Sequence, residues 1–507
     1  MSRLRPVLLL LGLTAGSLTA QEPAPLPPPP ETAAAASTPV LTLEEAVRRA
    51  LQKNFAIRIE HFQTDTAEQS LEAARANFDP TFNASVSKAA SRTPDEGSFV
   101  DADGNIITNA ATRFDAINSR IGVSQRLTTG TTVGLSGSLD RNRSIPSRSR
   151  FNPAYDSDVT LSISQPLLHI GPSYNRARVE QAEIGVELAG SDFRGTVLDI
   201  VRDVETAYYN LGYAREQLLV QRFSLDVAQQ LLEENRARRD TGLSTDLDVL
   251  QAEVGVANAR RNLLLGEQDV NDAADRLLQL IGQFELDQAI GDVRIGEIEQ
   301  IDVSFDESYK RARENRPDYA AQLAVIRQLE IDARVARRDR LPDLNLDGAV
   351  GYNTREASAG DATKDLWDGD GYAWQVGLSV SMPWAARGDR ARYQIALNNL
   401  AREEARLQSI DQSILVQVRS AVRAVETNFE GVRISRLATE LSERQFELEK
   451  ARFDAGLSTF RQVQELQAEL DTARVRELQA RVSLRIALAE LSRLEGTSLD
   501  RFQIDLL

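Results

Sequence analysis

The sequence predicts a mixed α and β membrane protein in which long helices continue into strands, with two similar halves in one chain. Three observations predict this fold class: a self-match at a nearly constant offset, apolar residues at coiled-coil spacing, and short segments that alternate apolar and polar residues. A chain of 507 residues would have room for about three or four ordinary domains. The self-match indicates one duplicated architecture instead.

An internal two-fold repeat covers most of the chain. Its sharpest matches are separated by 214 positions, as in Gly242 and Gly456, Ala259 and Ala473, Gly282 and Gly496, and DTGLST at 240–245 with DAGLST at 454–459. Nearer the amino terminus the offset is 262, as in FDPTFN at 78–83 and RLPDLN at 340–345. The first half therefore carries about 48 extra residues (262 minus 214) between Asn83 and Gly171. A period of this length is too long for a solenoid repeat and indicates that a half-molecule was duplicated.

Apolar residues in the long helical segments follow the alternating steps of three and four that a coiled-coil seam requires. In the first half the seam comprises Val204, Ala207, Leu211, Ala214, Leu218, Leu225, Ala228 and Leu232. No proline lies between Tyr174 and Arg239. At about 1.5 Å per residue, this stretch predicts a helix of roughly 100 Å, which is too long for a compact domain.

Three segments alternate with period two and are predicted strands, namely 159–167, 344–352 and 374–384. Segments of this kind fit a transmembrane β-barrel or a soluble β-sandwich. The long helices argue against the sandwich, and after residue 20 no segment is apolar enough for a membrane helix, so entry into a bilayer would require a closed barrel. Each half has at least a hairpin, and four strands cannot close a barrel, which implies a barrel shared among several copies.

Residues 117–140 form another alternating pair around a tight turn. This pair is compatible with two extra barrel strands per copy or with an external hairpin. The flanking segments 91–113 and 141–156 are rich in Asp, Asn, Ser and Arg and are predicted to be exposed loops.

The amino terminus has the features of a secretory signal peptide at 1–20, followed by a Pro/Ala-rich linker at 21–40. The chain has no cysteine, which excludes disulfides, and its net charge of -16 argues against a nucleic-acid partner. The two histidines, His61 and His169, lack metal-ligand spacing. No catalytic motif is present, so we expect no metal, no cofactor and no enzymatic activity.

Two strand-to-helix junctions, SQPLLHIGPSYNRAR at 164–178 and SMPWAARGDRAR at 381–392, are marked by Pro166, Gly171, Pro383 and Gly388. Together with the duplicated GLST turns, these junctions resemble those of the TolC-like outer membrane efflux protein family. The resemblance covers residues 41–494. It divides the chain into a first repeat (41–282), a linker (283–302), a second repeat (303–496) and a C-terminal tail (497–507).

The resemblance implies a homotrimer with a transmembrane β-barrel in the cell outer membrane and a long α-helical barrel in the periplasm. It implies an exit duct of a tripartite efflux or type I secretion system. The implied partners are a periplasmic adaptor protein, an inner-membrane pump reached through that adaptor, and outer membrane lipid. An exported coiled-coil scaffold of the cell envelope is the alternative, and the alternating strands argue against it.

Two sets of site residues follow from the resemblance. The helix tips expected to contact the adaptor are Gly242, Leu243, Ser244, Thr245, Gly456, Leu457, Ser458 and Thr459. The residues expected at the periplasmic aperture are Asp248, Arg461, Gln462 and Glu465. Plain helix connections and ordinary solvated helix surface are the structural alternatives for these two sets, respectively.

Overall fold

A computed structural model describes residues 41–94, 98–100, 103–104, 106–108, 111–145, 147, 149–242, 244–282, 290–291, 293, 295–296, 302–368 and 371–502. The expected signal peptide at 1–20 and the linker at 21–40 lie outside these residues. So do Leu243, most of the inter-repeat linker at 283–302, and the end of the C-terminal tail from residue 503 onwards.

Long helices dominate the described part of the chain. The helices are α1 (Leu43–Lys53), α2 (Phe55–Arg75), α3 (Pro172–Asn175), α4 (Ala177–Asp240), α5 (Asp246–Leu280), α6 (Phe305–Asn315), α7 (Pro317–Arg338), α8 (Ala359–Lys364), α9 (Arg387–Asp454), α10 (Phe460–Glu495) and α11 (Ser498–Arg501). The predicted uninterrupted helix is present as α4, which has 64 residues. Both halves contain a short helix pair, strands, a long helix, a GLST turn and a final helix.

The long helices lie side by side in two sets of four. Nearer the strands, neighbouring helices are in the order α2, α4, α7 and α9, and nearer the GLST turns the order is α5, α4, α10 and α9. Thus α4 and α9 each belong to both sets. A first-half helix, α2 or α5, lies at one edge of each set, and α9 lies at the other edge.

The predicted seam of α4 is buried from Val204 to Leu218. Nearer the turn, Val227 and Leu231 are buried instead, while the predicted Leu225 and Leu232 are only partly buried. The buried face shifts because α4 there contacts α10 as well as α5. On α5 the buried residues Ala252, Ala259, Gly266 and Ala273 are spaced by seven, so short side chains form its side of the seam.

The strands are β1 (Thr81–Thr93), β2 (Ser98–Val100), β3 (Ile106–Thr108), β4 (Thr112–Arg126), β5 (Thr132–Ile145), β6 (Ala154–Pro166), β7 (Asp343–Glu356) and β8 (Tyr372–Ser381). Six of them form an antiparallel sheet in the order β1-β4-β5-β6-β7-β8, and β2 pairs with β3 separately. Residues 117–140 therefore belong to strands inside the main sheet and not to an external hairpin.

The predicted loops at 91–113 and 141–156 are shorter than expected. Strand β1 extends to Thr93, β2 and β3 lie within the first segment, and β5 extends to Ile145. The prediction was wrong there because alternate residues of an exposed strand are polar, which gives the same composition as a loop. At the other end of the sheet, β8 stops at Ser381, so Met382 and Trp384 lie beyond the predicted strand.

One face of the six-stranded sheet is apolar and exposed. Backbone pairing places one large apolar side chain of each strand directly opposite the next: Phe82, Val123, Leu135, Leu161, Val350 and Trp374. These side chains are 42–71% exposed. The adjacent row on the other face is small or polar and comprises Thr81, Ser124, Gly134, Ser162, Ala349 and Gln375. An apolar surface of this extent is characteristic of an interaction face.

None of the helices in the described ranges combines the length and the apolar character needed to cross a bilayer.

Two glycines close equivalent joints in the two halves. Gly282 and Gly496 have φ values of +69° and +71°, and an added Cβ would lie 2.4 Å from the carbonyl oxygen of Lys53 and 2.8 Å from that of Asn315, respectively. Neither the left-handed conformation nor a clash with backbone is tolerated by an L side chain. We expect Gly282→Ala to lower the free energy of unfolding by about 2 kcal/mol or more.

The thermal unfolding midpoint of the purified protein measures this effect. Gly431→Ala in α9 is the matched control, because no atom lies within 4 Å of its added Cβ and alanine favours a helix. An unchanged midpoint for Gly282→Ala would show that the end of α5 can move away from the end of α1, so that the close contact of Gly282 with Lys53 does not fix these helices.

Candidate functional site

The candidate site is the pair of GLST turns that connect α4 to α5 and α9 to α10. Gly242 and Gly456 have φ values of +75° and +76°, and an added Cβ at either position would face open space. Thr245 and Thr459 are the N-cap residues of α5 and α10. Each turn thus combines a left-handed glycine that ends one helix with a threonine that begins the next.

The structure brings the two turns together within one chain. Val227, Leu231 and Ala252 of the first half share a buried cluster with three residues of the second half, Phe453, Phe460 and Val463. The Arg238 guanidinium lies 3.9 Å from the centroid of the Phe453 ring and donates a hydrogen bond to the Phe453 carbonyl oxygen at 3.0 Å. The two helix tips therefore form one surface.

The serine hydroxyl of each turn donates a hydrogen bond to a side chain of the preceding helix. Ser244 Oγ donates to Asn235 Oδ1 at 3.3 Å, and Ser458 Oγ donates to Glu449 Oε1. Asn235 and Glu449 are both buried and occupy equivalent positions, 214 residues apart. The sequence predictions did not include these two residues, although the repeat offset would have paired them.

Asp248 is a capping residue in the first turn. Its Oδ2 accepts from the Thr245 backbone N–H at 2.9 Å and from Ser244 Oγ at 3.2 Å, while its own N–H donates to Thr245 Oγ1 at 3.3 Å. These hydrogen bonds, chiefly those from Thr245, hold the pKa of Asp248 below its ordinary value. The equivalent Gln462 belongs to a turn whose N-cap Thr459 makes no side-chain capping bond. The two turns are therefore closed differently.

Three of the four residues expected at the aperture make local side-chain contacts, in two separate arrangements. Asp248 is bonded within the first turn, whereas Arg461 pairs with Glu465 at 3.0 Å along α10. Arg461, Gln462 and Glu465 are all exposed. They present a polar surface on the first turns of α10, where a neighbouring copy or partner can reach them.

The strand-to-helix junctions differ from each other in where the backbone turns. At the first junction, Pro166 ends β6 and Gly171 has a φ of +105°, a backbone conformation that favours glycine. At the second junction Pro383 follows β8, but Gly388 lies inside α9, and Ala386 carries the positive φ of 45°. The Ala386 N–H donates to the Pro383 carbonyl oxygen at 3.1 Å, so the turn closes two residues before the expected glycine.

No group of three or more His, Cys, Asp or Glu side chains within the described ranges is arranged to hold a metal ion. His169 is buried, its Nε2 lies 3.2 Å from the Arg338 carbonyl oxygen, and its ring packs on Tyr174. These contacts connect the first strand-to-helix junction to the end of α7.

Asp248→Ala should destabilise the start of α5 by about 1 kcal/mol, because it removes the carboxylate half of the capping box and leaves the Thr245 N–H without its acceptor. Since the pKa of Asp248 is lowered in the folded state, its contribution is present above the ordinary value of 3.8 and is lost as the pH falls through the lowered pKa. Amide hydrogen exchange at residues 245–249 measures the effect. Gln462→Ala, at the equivalent position without a capping bond, should change exchange at 459–463 little. Equal changes in both variants would contradict the capping role.

The helical sets and the amphipathic sheet give this chain the fold of an outer-membrane channel. The solved structure of the outer-membrane channel OprN superposes with a TM-score of 0.67, covering 90% of this chain and 90% of OprN at 17% sequence identity. The outer membrane efflux protein family matches the sequence at residues 105–283 and 308–497. This chain belongs to that family.

Two curated relatives are outer membrane proteins for pyoverdine export. OpmQ of Pseudomonas aeruginosa is 26% identical over 312 residues, which cover 59% of this chain and 61% of OpmQ. OpmQ of Pseudomonas putida is 28% identical over 330 residues, which cover 62% of this chain and 66% of that protein. The chain thus spans about two thirds or less of the length of these relatives.

Proposed function

We propose that this chain is the outer membrane exit duct of a tripartite efflux or type I secretion system. Three copies form it, with the six-stranded sheets closed into a β-barrel in the membrane and the long helices forming a tube in the periplasm. The apolar face of the sheet is the observation that carries this proposal, because a scaffold made only of coiled coils does not require an exposed apolar sheet.

The dimensions of the apolar face suit a bilayer. On β7 the apolar side of the strand runs from Leu344 to Tyr352, nine residues that extend about 26 Å at ~3.3 Å per residue. Tyr352 and Tyr372 pair across β7 and β8 at its outer limit. Beyond them, the same face carries the charged residues Lys88, Arg141 and Glu356. A band of apolar residues edged by aromatic and then charged side chains is the pattern of a lipid-facing barrel wall.

The two edges of the chain are unlike each other, and both are open. Within the sheet β1 and β8 each have one strand neighbour, and the outer helices carry exposed apolar residues. On α9 these include Ile434, Leu437, Leu441 and Leu448, and on α5 they include Leu247, Leu250 and Val254. Spacings of three, four and seven make each set a helix-packing stripe. When different edges of identical copies meet head to tail, the assembly closes into a ring if the rotation between copies divides a full turn, which for three copies is a third of a turn.

The paired helix tips are the proposed contact for the periplasmic adaptor. Leu457 is 71% exposed beside Gly456, and the glycine positions themselves face open space. The part-buried hydrogen bond from Ser458 to Glu449 fixes this turn. The exposed leucine therefore offers a rigid apolar anchor for a partner. We assign Asp248, Arg461, Gln462 and Glu465 to the same end of the duct, facing the aperture.

Purification from outer membranes in mild detergent, followed by mass measurement and planar-bilayer recording, tests the proposal. We expect a particle of about three times the 56.0 kDa chain mass that conducts ions. A non-conducting monomer outside the outer membrane would overturn the duct and support the scaffold.

A further inference from the structure

The hairpin formed by β4 and β5 is an insertion into one half of a duplicated sheet. The repeat match pairs the start of β1 with that of β7, and the junction after β6 with the junction after β8. The extra 48 residues of the first half (262 minus 214) fall between Asn83 and Gly171, where β4 and β5 lie. In the corresponding region of the second half, the described residues form two strands, β7 and β8.

The inserted hairpin is a full member of the main sheet. Strand β4 pairs with β1 from Thr81↔Ser124 to Thr93↔Thr112, and β5 pairs with β6. Side-chain bonds also cross the second boundary, since Ser138 Oγ donates to Asp158 and Asn142 Nδ2 donates to Asp156 Oδ2 at 2.9 Å. The insertion therefore separates β1 from β6 by two strands and widens the sheet.

The hairpin continues both faces of the sheet. Its Val123 and Leu135 lie on the apolar face in register with Leu161 of β6, and Ile121 lies on the same face in register with Val159. On the other face it presents Ser124 and Gly134 in the small polar row. A wall built in this way can face lipid on one side and water on the other along its whole width.

Resting on the trimer of the proposed function, we propose that this insertion makes the membrane barrel 18-stranded (six strands in each of three copies) and wide enough for polypeptide cargo that passes as paired helices. With ~4.8 Å between strands and a tilt of ~40°, 18 strands have a perimeter of about 113 Å and a backbone diameter of about 36 Å. Side chains of about 5 Å on each wall leave a lumen of about 26 Å. An α-helix is about 10–12 Å across, so two helices side by side pass through such a lumen, whereas the lumen of about 14 Å that 12 strands would leave admits only one.

The width of the helical layer supports this strand number. At the sheet end each copy contributes four adjacent helices, α2, α4, α7 and α9. At about 9–10 Å between axes they occupy about 36–40 Å of perimeter. Six tilted strands occupy about 38 Å, whereas four would occupy about 25 Å. With the insertion, the barrel and the helical tube therefore have matching perimeters and the duct does not narrow where it enters the membrane.

The test measures access to the lumen from outside the cell, which does not depend on the periplasmic end. Because the chain has no cysteine, Ser162→Cys places a single thiol on the polar face of β6. Polyethylene glycol maleimides of graded size are applied to intact cells. We expect labelling by reagents up to about 25 Å in diameter, set by the lumen estimated above. Leu161→Cys, one residue away on the apolar face, is the matched control and should resist labelling.

A deletion variant removes residues 94–153 and joins β1 directly to β6, which keeps the strands antiparallel. With about 12 strands in three copies, the lumen should shrink to about 14 Å and the size limit of labelling should fall by nearly half. A particle that is not a trimer overturns the proposed function. A trimer whose full-length form excludes reagents above about 15 Å overturns this inference alone, even if the deletion variant does not assemble.

Discussion

Val376→Arg is expected to prevent the assembled protein from entering the outer membrane. Val376 lies on the apolar face of β8 and is largely exposed within one chain. Arginine on the lipid face near the middle of a bilayer costs about 2–4 kcal/mol, and a three-fold assembly incurs this cost three times. A total of about 6–12 kcal/mol is comparable with the whole stability of a typical fold. The amount of trimer in the outer membrane fraction measures the effect.

Gln375→Arg is the matched control for that experiment. It places the same side chain one residue away, on the small polar face that carries Ser162 and Ala349. We expect normal membrane levels and a change only in the ion selectivity of the conductance. If Gln375→Arg were excluded from the membrane while Val376→Arg inserted, the two faces of the sheet would be reversed and the lipid contact proposed for this face would be wrong.

Gly456→Trp and Gly242→Trp are expected to lower transport at least about tenfold while trimers still reach the outer membrane. A new Cβ at either glycine meets no atom within 4 Å, so the large side chain extends outward from the tip surface. It would block a partner that docks on the turn. If the binding free energy weakens by more than about 1.4 kcal/mol, the affinity for the partner falls at least tenfold. Export of a substrate of the cognate system by living cells measures the effect.

Alanine at the same positions controls for backbone strain. Gly456→Ala and Gly242→Ala impose the same left-handed conformation, at a cost of about 1–2 kcal/mol, without a bulky group. These variants should keep most of their transport. Undiminished transport in both tryptophan variants would show that the tips do not contact the adaptor, and equal loss in the alanine variants would assign the effect to the shape of the turn.

The periodic patterns predicted the elements of the fold well. An unbroken three-four seam predicted α4, and alternation predicted β6, β7 and β8, because both patterns are local consequences of packing one face of an element. The position of β4 and β5 was not predictable from the same alternation, since a hairpin inside a sheet and a hairpin outside it need the same residues. Only the backbone pairing of β4 with β1 and of β5 with β6 distinguishes them.

The local structure of the two turns was predictable only in part. From the sequence, either the serine or the threonine of each turn could cap the next helix, and in the structure Thr245 caps α5. The same motif at Thr459 lacks the side-chain capping bond. At the second junction the sequence marked Gly388, yet Ala386 adopts the positive φ and its N–H donates to the Pro383 carbonyl oxygen. The sequence motif alone did not indicate which residue carries the turn.

The way the extra hairpin joins the sheet limits how a pore of this kind can change during evolution. Each strand that leaves the helices must be followed by one that returns, so a viable insertion adds two strands per copy and never one. In a ring of three copies, pore size therefore changes in steps of six strands. Descendants of such a duct inherit a discrete set of diameters, and the diameter can change without any alteration of the helix tips that we propose as the docking surface for the partner.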